Sequence, residues 1–303
     1  MLDLVISARR KDLGGGLEVG RVLPFARHRM VGPFIFLDHM GPADFAPGHG
    51  VDVRPHPHIG LATVTYLFDG EILHRDSLGS AEAIRPGEVN WMTAGRGIVH
   101  SERSDSSLRA RGSRLHGMQS WVALPNESEE SAPSFTHYGA TSLPEFAENG
   151  ARGRLIAGTA YGLKSSVATF SPIFYVHLDL APGARIGLPP DHDERGAYIV
   201  SGRVESDGAV YEPGHLLVFG RGDATLAAVE GPARLMLLGG ASVGPRYIWW
   251  NFVSSNLDRM EAAKAEWRAG RMKLPPGDNQ EFIPLPDEPL PHPTDPVGSA
   301  SSK

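Results

Sequence analysis

The sequence predicts an all-β protein built from two consecutive sheet units, and three observations carry that reading. Glycine (36 residues) and proline (25 residues) are abundant and punctuate short apolar runs, the rhythm of many short strands joined by tight turns. The runs are rich in β-branched and aromatic residues, as in Thr63-Val64-Thr65-Tyr66-Leu67-Phe68, a composition that suits a pleated, half-buried surface. The turn rhythm also repeats: Tyr211-Glu212-Pro213-Gly214, followed by His215 to Phe219, echoes Ile84-Arg85-Pro86-Gly87, followed by Glu88 to Met92. A length of 303 residues accommodates two such units.

Taken in order, Leu13-Gly14-Gly15-Gly16-Leu17 reads as a flexible turn between two early strands. A phosphate loop would need a Lys-Ser/Thr end opening a helix, which this stretch lacks. Phe34-Ile35-Phe36-Leu37 reads as a buried strand, closed by the turn Asp38-His39-Met40-Gly41-Pro42. Residues 60–69 form the next strand. Asp69-Gly70 is a hairpin signal that sends Glu71 to Asp76 back as its partner, ended by Ser77-Leu78-Gly79. Pro86-Gly87 turns into a strand ending at Met92. Thr93 to Gly97 is a glycine-bearing bend before the strand Ile98 to Glu102, and Met118 to Pro125 is one more strand. Asn126 to about Gly150 is polar and rich in Ser, Glu and Pro, as a linker is, and the run Glu127 to Glu130 reads as solvated. The second unit begins near Gly153, with strands over Phe174 to Leu180 and Arg195 to Gly202. Asp258 to Ala269 is the one convincing helix: Met260, Ala263 and Trp267 fall at helical spacing and Gly270 stops it. Pro275 to Pro293 is expected to run extended along the surface, with roughly the last ten residues disordered.

The formal net charge of -6 leaves no basic stripe of the kind that grips nucleic acid. The absence of cysteine excludes disulfides, thiolate metal sites and a cysteine nucleophile. No apolar run reaches membrane-spanning length and no leader pattern opens the chain, so a soluble cytoplasmic protein is expected.

The chemistry is carried by His56-Pro57-His58 and His100-Ser101-Glu102. Side chains two residues apart on a strand point to one face, about 7 Å apart. Each string therefore presents two metal-capable groups to one side of a sheet. Taken singly, such a pair is as readily two half-buried, hydrogen-bonded rings. Together, inside a barrel, the two offer three imidazoles and one carboxylate, a set that suits a divalent first-row metal with open positions. A buried carboxylate beside three neutral rings is also costly without a cation.

The stretch Pro55 to Gly60, then Thr63 to Leu67, then Trp91-Met92-Thr93-Ala94-Gly95-Arg96-Gly97-Ile98-Val99-His100-Ser101-Glu102, resembles the pirin family of bicupins. Phe36-Leu37-Asp38-His39 and Trp121 to Pro125 are similar to pirin segments. The resemblance is densest over residues 30–125 and continues, more thinly, to about residue 285. It implies two tandem cupin (jelly-roll type) β-barrels: a metal-binding barrel over 1–130, a linker over 131–150, a metal-free barrel over 151–245, and a helix and Pro-rich tail over 246–303 packing back on the barrels. It implies His56, His58, His100 and Glu102 as metal ligands, with iron the usual ion and manganese, nickel, cobalt or copper as alternatives. The glutamate of the general cupin motif is replaced here by Ala62. The second barrel keeps only Asp191-His192-Asp193-Glu194 and His215, too few ligands for a second site.

The resemblance implies quercetin 2,3-dioxygenase-type cleavage of a flavonol or similar aromatic or enolic substrate by dioxygen, with Glu102 as the base. The alternative is an iron-dependent regulator that binds protein partners and performs no catalysis. His74 and Asp76 either line the pocket or brace a ligand ring, or face solvent. His39 and His116 are open in the same way. Trp91, Trp121 and Phe36 read as core or pocket wall.

Overall fold

The computed structural model describes residues 1–14 and 16–287, so the end of the Pro-rich tail lies outside the described residues. The first part of the chain forms β1 (Leu2–Ser7), β2 (Arg9–Asp12), β3 (Glu18–Leu23), β4 (Phe34–Phe45), β5 (Asp52–His58), β6 (Leu61–Asp69), β7 (Ile72–Asp76), β8 (Ala81–Ile84), β9 (Val89–Thr93) and β10 (Ile98–Arg103). The helix α1 (Ser106–Arg111) then leads to β11 (Ser113–Ala123), β12 (Ser134–Tyr138) and β13 (Glu145–Glu148). There follow β14 (Ala151–Ala160), β15 (Leu163–Lys164), β16 (Ile173–Leu180), β17 (Arg185–Gly187), β18 (Glu194–Ser206), β19 (Ala209–Tyr211), β20 (His215–Phe219) and β21 (Thr225–Gly240). The hairpin β22 (Tyr247–Trp249) and β23 (Phe252–Ser254) precedes α2 (Leu257–Arg268).

The first barrel closes a seven-stranded sheet, β12-β9-β6-β11-β4-β3-β2, over a four-stranded one, β5-β10-β7-β8. Strand alternation divides the work of the large sheet. On β11, Gln119 and Trp121 face the space between the two sheets. The flanking Met118 and Val122 join the apolar layer shared with Tyr175, Tyr198 and Met236 of the second barrel, and the hydroxyl of the intervening Ser120 lies 2.8 Å from the Tyr175 hydroxyl. The second barrel is a ten-stranded sheet ordered β1-β20-β18-β21-β16-β14-β13, with β15, β17 and β19 at its margins. Its interior is apolar, built from Leu155, Phe174, Leu178, Ile199, Leu217 and Leu235 among others. His192 bonds to the Thr159 carbonyl at 3.0 Å and His215 to the Glu212 carbonyl at 2.9 Å.

Several expectations are corrected. β4 does not end at Leu37 but runs on to Phe45. Gly41 (φ 71) and Pro42 lie opposite the single residue His116, so the glycine-proline pair bends the strand through a bulge without stopping it. Asp69-Gly70 is a corner, not a hairpin. β6 belongs to the seven-stranded sheet while β7 pairs with β8 and β10 in the other. β1 adds to β20, an edge of the second barrel, although its residues open the chain. Residues 131–150 contribute β12 to the first barrel and β13 to the second. Glu129 is buried, not solvated. It accepts from the Ser255 amide at 2.9 Å and pairs with Arg246 at 2.7 Å, which offsets the cost of burying its charge. The short α1 buries Leu108 alone and carries no periodic apolar pattern that would announce a helix.

The helix α2 starts at an Asn256 cap and buries Met260, Ala263 and Trp267, the three residues at helical spacing. With Trp249 and Phe252 they cover Ile59 and Val99 at the end of the first barrel. Among the described residues no helix is long and apolar enough to cross a membrane.

Candidate metal centre

β5 and β10 are antiparallel neighbours with His100 opposite His56. Their i, i+2 spacing brings the rings of His56, His58 and His100 to one face. The candidate ligand nitrogens of the three rings all lie within 4.8 Å of one another, and all three residues are buried. The His58 and His100 Nε2 atoms are 3.1 Å apart.

The remaining ring nitrogens fix the tautomers. His56 Nδ1 donates to the Arg54 carbonyl at 2.8 Å and His58 Nδ1 to the Asn251 carbonyl at 3.1 Å. A carbonyl can only accept, so both rings carry their proton on Nδ1 and present an Nε2 lone pair. His100 Nδ1 lies 3.4 Å from His74 Nδ1, and His74 Nε2 lies 3.1 Å from Asp76 Oδ2. With its Nε2–H donated to Asp76, His74 can accept at Nδ1 from His100, an arrangement that frees the third Nε2. The other Asp76 oxygen accepts from the amides of Leu78 at 2.9 Å and Ser80 at 3.1 Å, so this chain is anchored in the turn after β7.

Burial pulls the His56 pKa down to about 4 and those of His58 and His100 well below the usual histidine range. All three rings are neutral at pH 7. Three imidazole nitrogens directed at one point make a site that could hold a cation. The 3.1 Å separation of the His58 and His100 Nε2 atoms would leave both within reach of one ion. His39 and His116 make the instructive contrast. Their Nε2 atoms are 2.8 Å apart at the seam between the barrels, but His39 Nδ1 is 2.9 Å from the Tyr198 hydroxyl. That hydroxyl can donate, so a proton on His39 Nε2 bridges the two rings without a metal.

Glu102 stands beside the three-ring cluster, not in it. Between His100 and Glu102 the pairing slips: Arg54 and Pro55 of β5 oppose the single residue Ser101, so Glu102 pairs with Val53, while strand alternation keeps its carboxylate on the same cavity wall as His100. Burial pushes its pKa up, while His74 and the Thr65 hydroxyl, 3.3 Å away, pull it back. Thr65 has one proton and also reaches Gln119 Oε1 at 2.9 Å, so it serves one acceptor at a time.

The cavity at the cluster holds about 140 Å³. Trp121 and Phe36, stacked with centroids 4.0 Å apart, form one wall. Arg21 lies over Phe36 at 4.5 Å and forks onto Asp38 at 2.9 and 2.7 Å. Trp91 lies in the apolar layer between the barrels. Sequence reasoning missed Arg21, Gln119 and Asn251 as cavity residues. Asn251 acts here through its backbone carbonyl, which leaves no side-chain signature, while Arg21 and Gln119 lie on strands outside the two motifs. Among the described residues, the His56-His58-His100 group is the metal-capable cluster; its donor set of three neutral imidazole nitrogens fits a divalent ion.

The model of the pirin family matches residues 16–122, and that of the pirin C-terminal cupin domain matches residues 175–273. A pirin-like protein of Caulobacter vibrioides is 60% identical over 95% of this chain and 100% of its own length. A Pseudomonas aeruginosa protein provisionally named a quercetin 2,3-dioxygenase is 39% identical over 94% of this chain and 90% of its own. The crystal structure of a quercetin 2,3-dioxygenase from Acinetobacter baumannii superposes with a TM-score of 0.87 at 32% identity, covering 94% of this chain and 95% of that one. The tandem barrels, the buried histidine cluster and these matches agree: the chain belongs to the pirin family, a bicupin.

Proposed function

We propose that the chain is a metal-dependent dioxygenase that cleaves a flavonol or a related enolic ring, in the manner of quercetin 2,3-dioxygenases. The observation that carries this reading is the convergence of three neutral, buried imidazoles on one cavity that also holds a carboxylate. His56, His58 and His100 would hold the ion, with Glu102 as a fourth ligand or as the base beside it; iron is the ion we favour. A bound divalent ion supplies a Lewis acid that lowers the pKa of an enolic hydroxyl. Glu102, raised by burial, is suited to take that proton. Thr65 orients the carboxylate, and Trp121 and Phe36 give the substrate a flat apolar wall. His74 and Asp76 hold the His100 ring in its metal-binding tautomer. The relatives and structures named for quercetin cleavage support the same reading.

Cavity size favours a second reading. About 140 Å³ is below the usual range for small-molecule pockets, roughly 300–1,000 Å³. A three-ring flavonol therefore needs the cavity to open. If it stays closed, the ion serves a smaller enolic substrate or acts as a switch for a protein partner. Aerobic quercetin turnover by protein loaded in parallel with iron, manganese, nickel, cobalt or copper decides between them. Loss of flavonol absorbance that depends on the ion and vanishes in His56→Ala supports the dioxygenase. Full loading without turnover refutes quercetin cleavage.

A further inference from the structure

β5, which carries His56 and His58, is an edge strand of its four-stranded sheet. One side pairs with β10; the other faces the C-terminal segment. The Val253 amide donates to the Ile59 carbonyl at 3.2 Å and the Ile283 amide to the Pro55 carbonyl at 2.8 Å, so backbone from near residue 253 and near residue 283 brackets the two histidines. The Asn251 carbonyl fixes the His58 ring from the same segment. On β10, Arg103 directly follows Glu102. Its guanidinium forks onto Asp278 at 2.7 and 2.9 Å, reaches Glu281 at 2.9 Å and also pairs with Asp52 at the start of β5. Trp267 of α2 donates to the Ile283 carbonyl at 3.0 Å, tying the far end of this strap to the helix.

We propose that residues 251–283 form a positioning clamp for the metal centre, with Arg103, Asp278 and the Ile283 amide as its fasteners. The inference rests on the metal reading of the three histidines. The physical reason is tolerance: a metal site needs its ligands held to about 0.5 Å, and an edge strand has only one neighbour to hold it. The strap supplies the missing neighbour, and its two anchor points lie just before His56 and just after His58. Coupling of this kind is reciprocal: if the strap tightens metal binding, metal binding must tighten the strap.

Cobalt(II) titration of the full chain, followed by visible absorption, tests this alongside hydrogen exchange of the peptide containing Ile283. Asp278→Ala removes the fork on Arg103, and Ile283→Pro deletes one amide donor. Each is expected to weaken cobalt affinity about tenfold or more and to alter the absorption envelope, in protein whose circular dichroism shows it folded at the assay temperature. Asp278→Glu is expected to recover much of the affinity. Cobalt should slow exchange of the Ile283 peptide in the wild type and not in His56→Ala. A purely structural strap would lower thermal stability and leave affinity and spectrum unmoved; wild-type cobalt binding in both folded variants overturns the clamp, as does exchange indifferent to cobalt. Failure of the wild type to bind cobalt would overturn the metal centre itself.

Discussion

Glu102 and His100 sit two residues apart and line one cavity, yet only the His100 ring belongs to the three-histidine cluster. The three rings can hold an ion without the carboxylate, so Glu102→Gln should retain metal while turnover falls by about 100-fold or more; metal content and kcat measured on one preparation check this. His74 acts from behind. Replacing Asp76 by Asn removes the charge that orients His74, and through it His100. The expected result is metal affinity weaker by about 10- to 100-fold, read by competition with a chelator. Much of this was legible from the sequence, because i, i+2 spacing on a strand is local geometry. The Asn251 carbonyl on His58 was not, since a backbone group 193 residues away announces itself in no motif. Nor was the fork of Arg21 on Asp38, which depends on β3 lying beside β4.

At the scale of the element, the turn between β5 and β6 is set by Gly60. Its φ is 68, and a Cβ there would lie 2.0 Å from the Val253 carbonyl oxygen. Gly60→Ala should therefore destabilise the protein by about 3 kcal/mol, part strain and part displacement of β23, measurable as a lowered urea midpoint. Strand existence was readable in most places from composition and turn signals; strand partnership was not. Asp69-Gly70 has the residues of a hairpin, but the hydrophobic demands of two sheets, not the turn, decide where β7 goes. β8 and β13 are four residues each, too short to show alternation.

Across the whole molecule, the two barrels share one apolar layer and a polar seam at His39, His116 and Tyr198. Burial, with His116 adding to it, lowers the His39 pKa from 6.5 to about 4. Because the folded value lies below the unfolded one, the unfolded chain binds more protons between these limits. Stability from this group is complete above pH 6.5 and is lost as pH falls toward 4, by no more than about 3 kcal/mol. Urea midpoints of wild type and His39→Gln, compared from pH 7.5 to 4, should converge as the pH drops; parallel curves would remove His39 from the account. The two-unit architecture was visible in the repeated turn rhythm. The exchange of β1 into the second barrel was not, since nothing in Leu2–Ser7 says which barrel it will edge.

Addition of dioxygen across C2 and C4 of a flavonol keeps both oxygen atoms in the ring-opened ester and expels C3 as carbon monoxide, so the most direct test of the dioxygenase reading is the ratio of carbon monoxide released to quercetin consumed, under air, by protein loaded with its competent ion, measured beside Glu102→Gln carrying the same ion. The account predicts about one carbon monoxide per quercetin from the wild type and almost none from the variant. Quercetin loss without carbon monoxide, or undiminished release from Glu102→Gln, would contradict it.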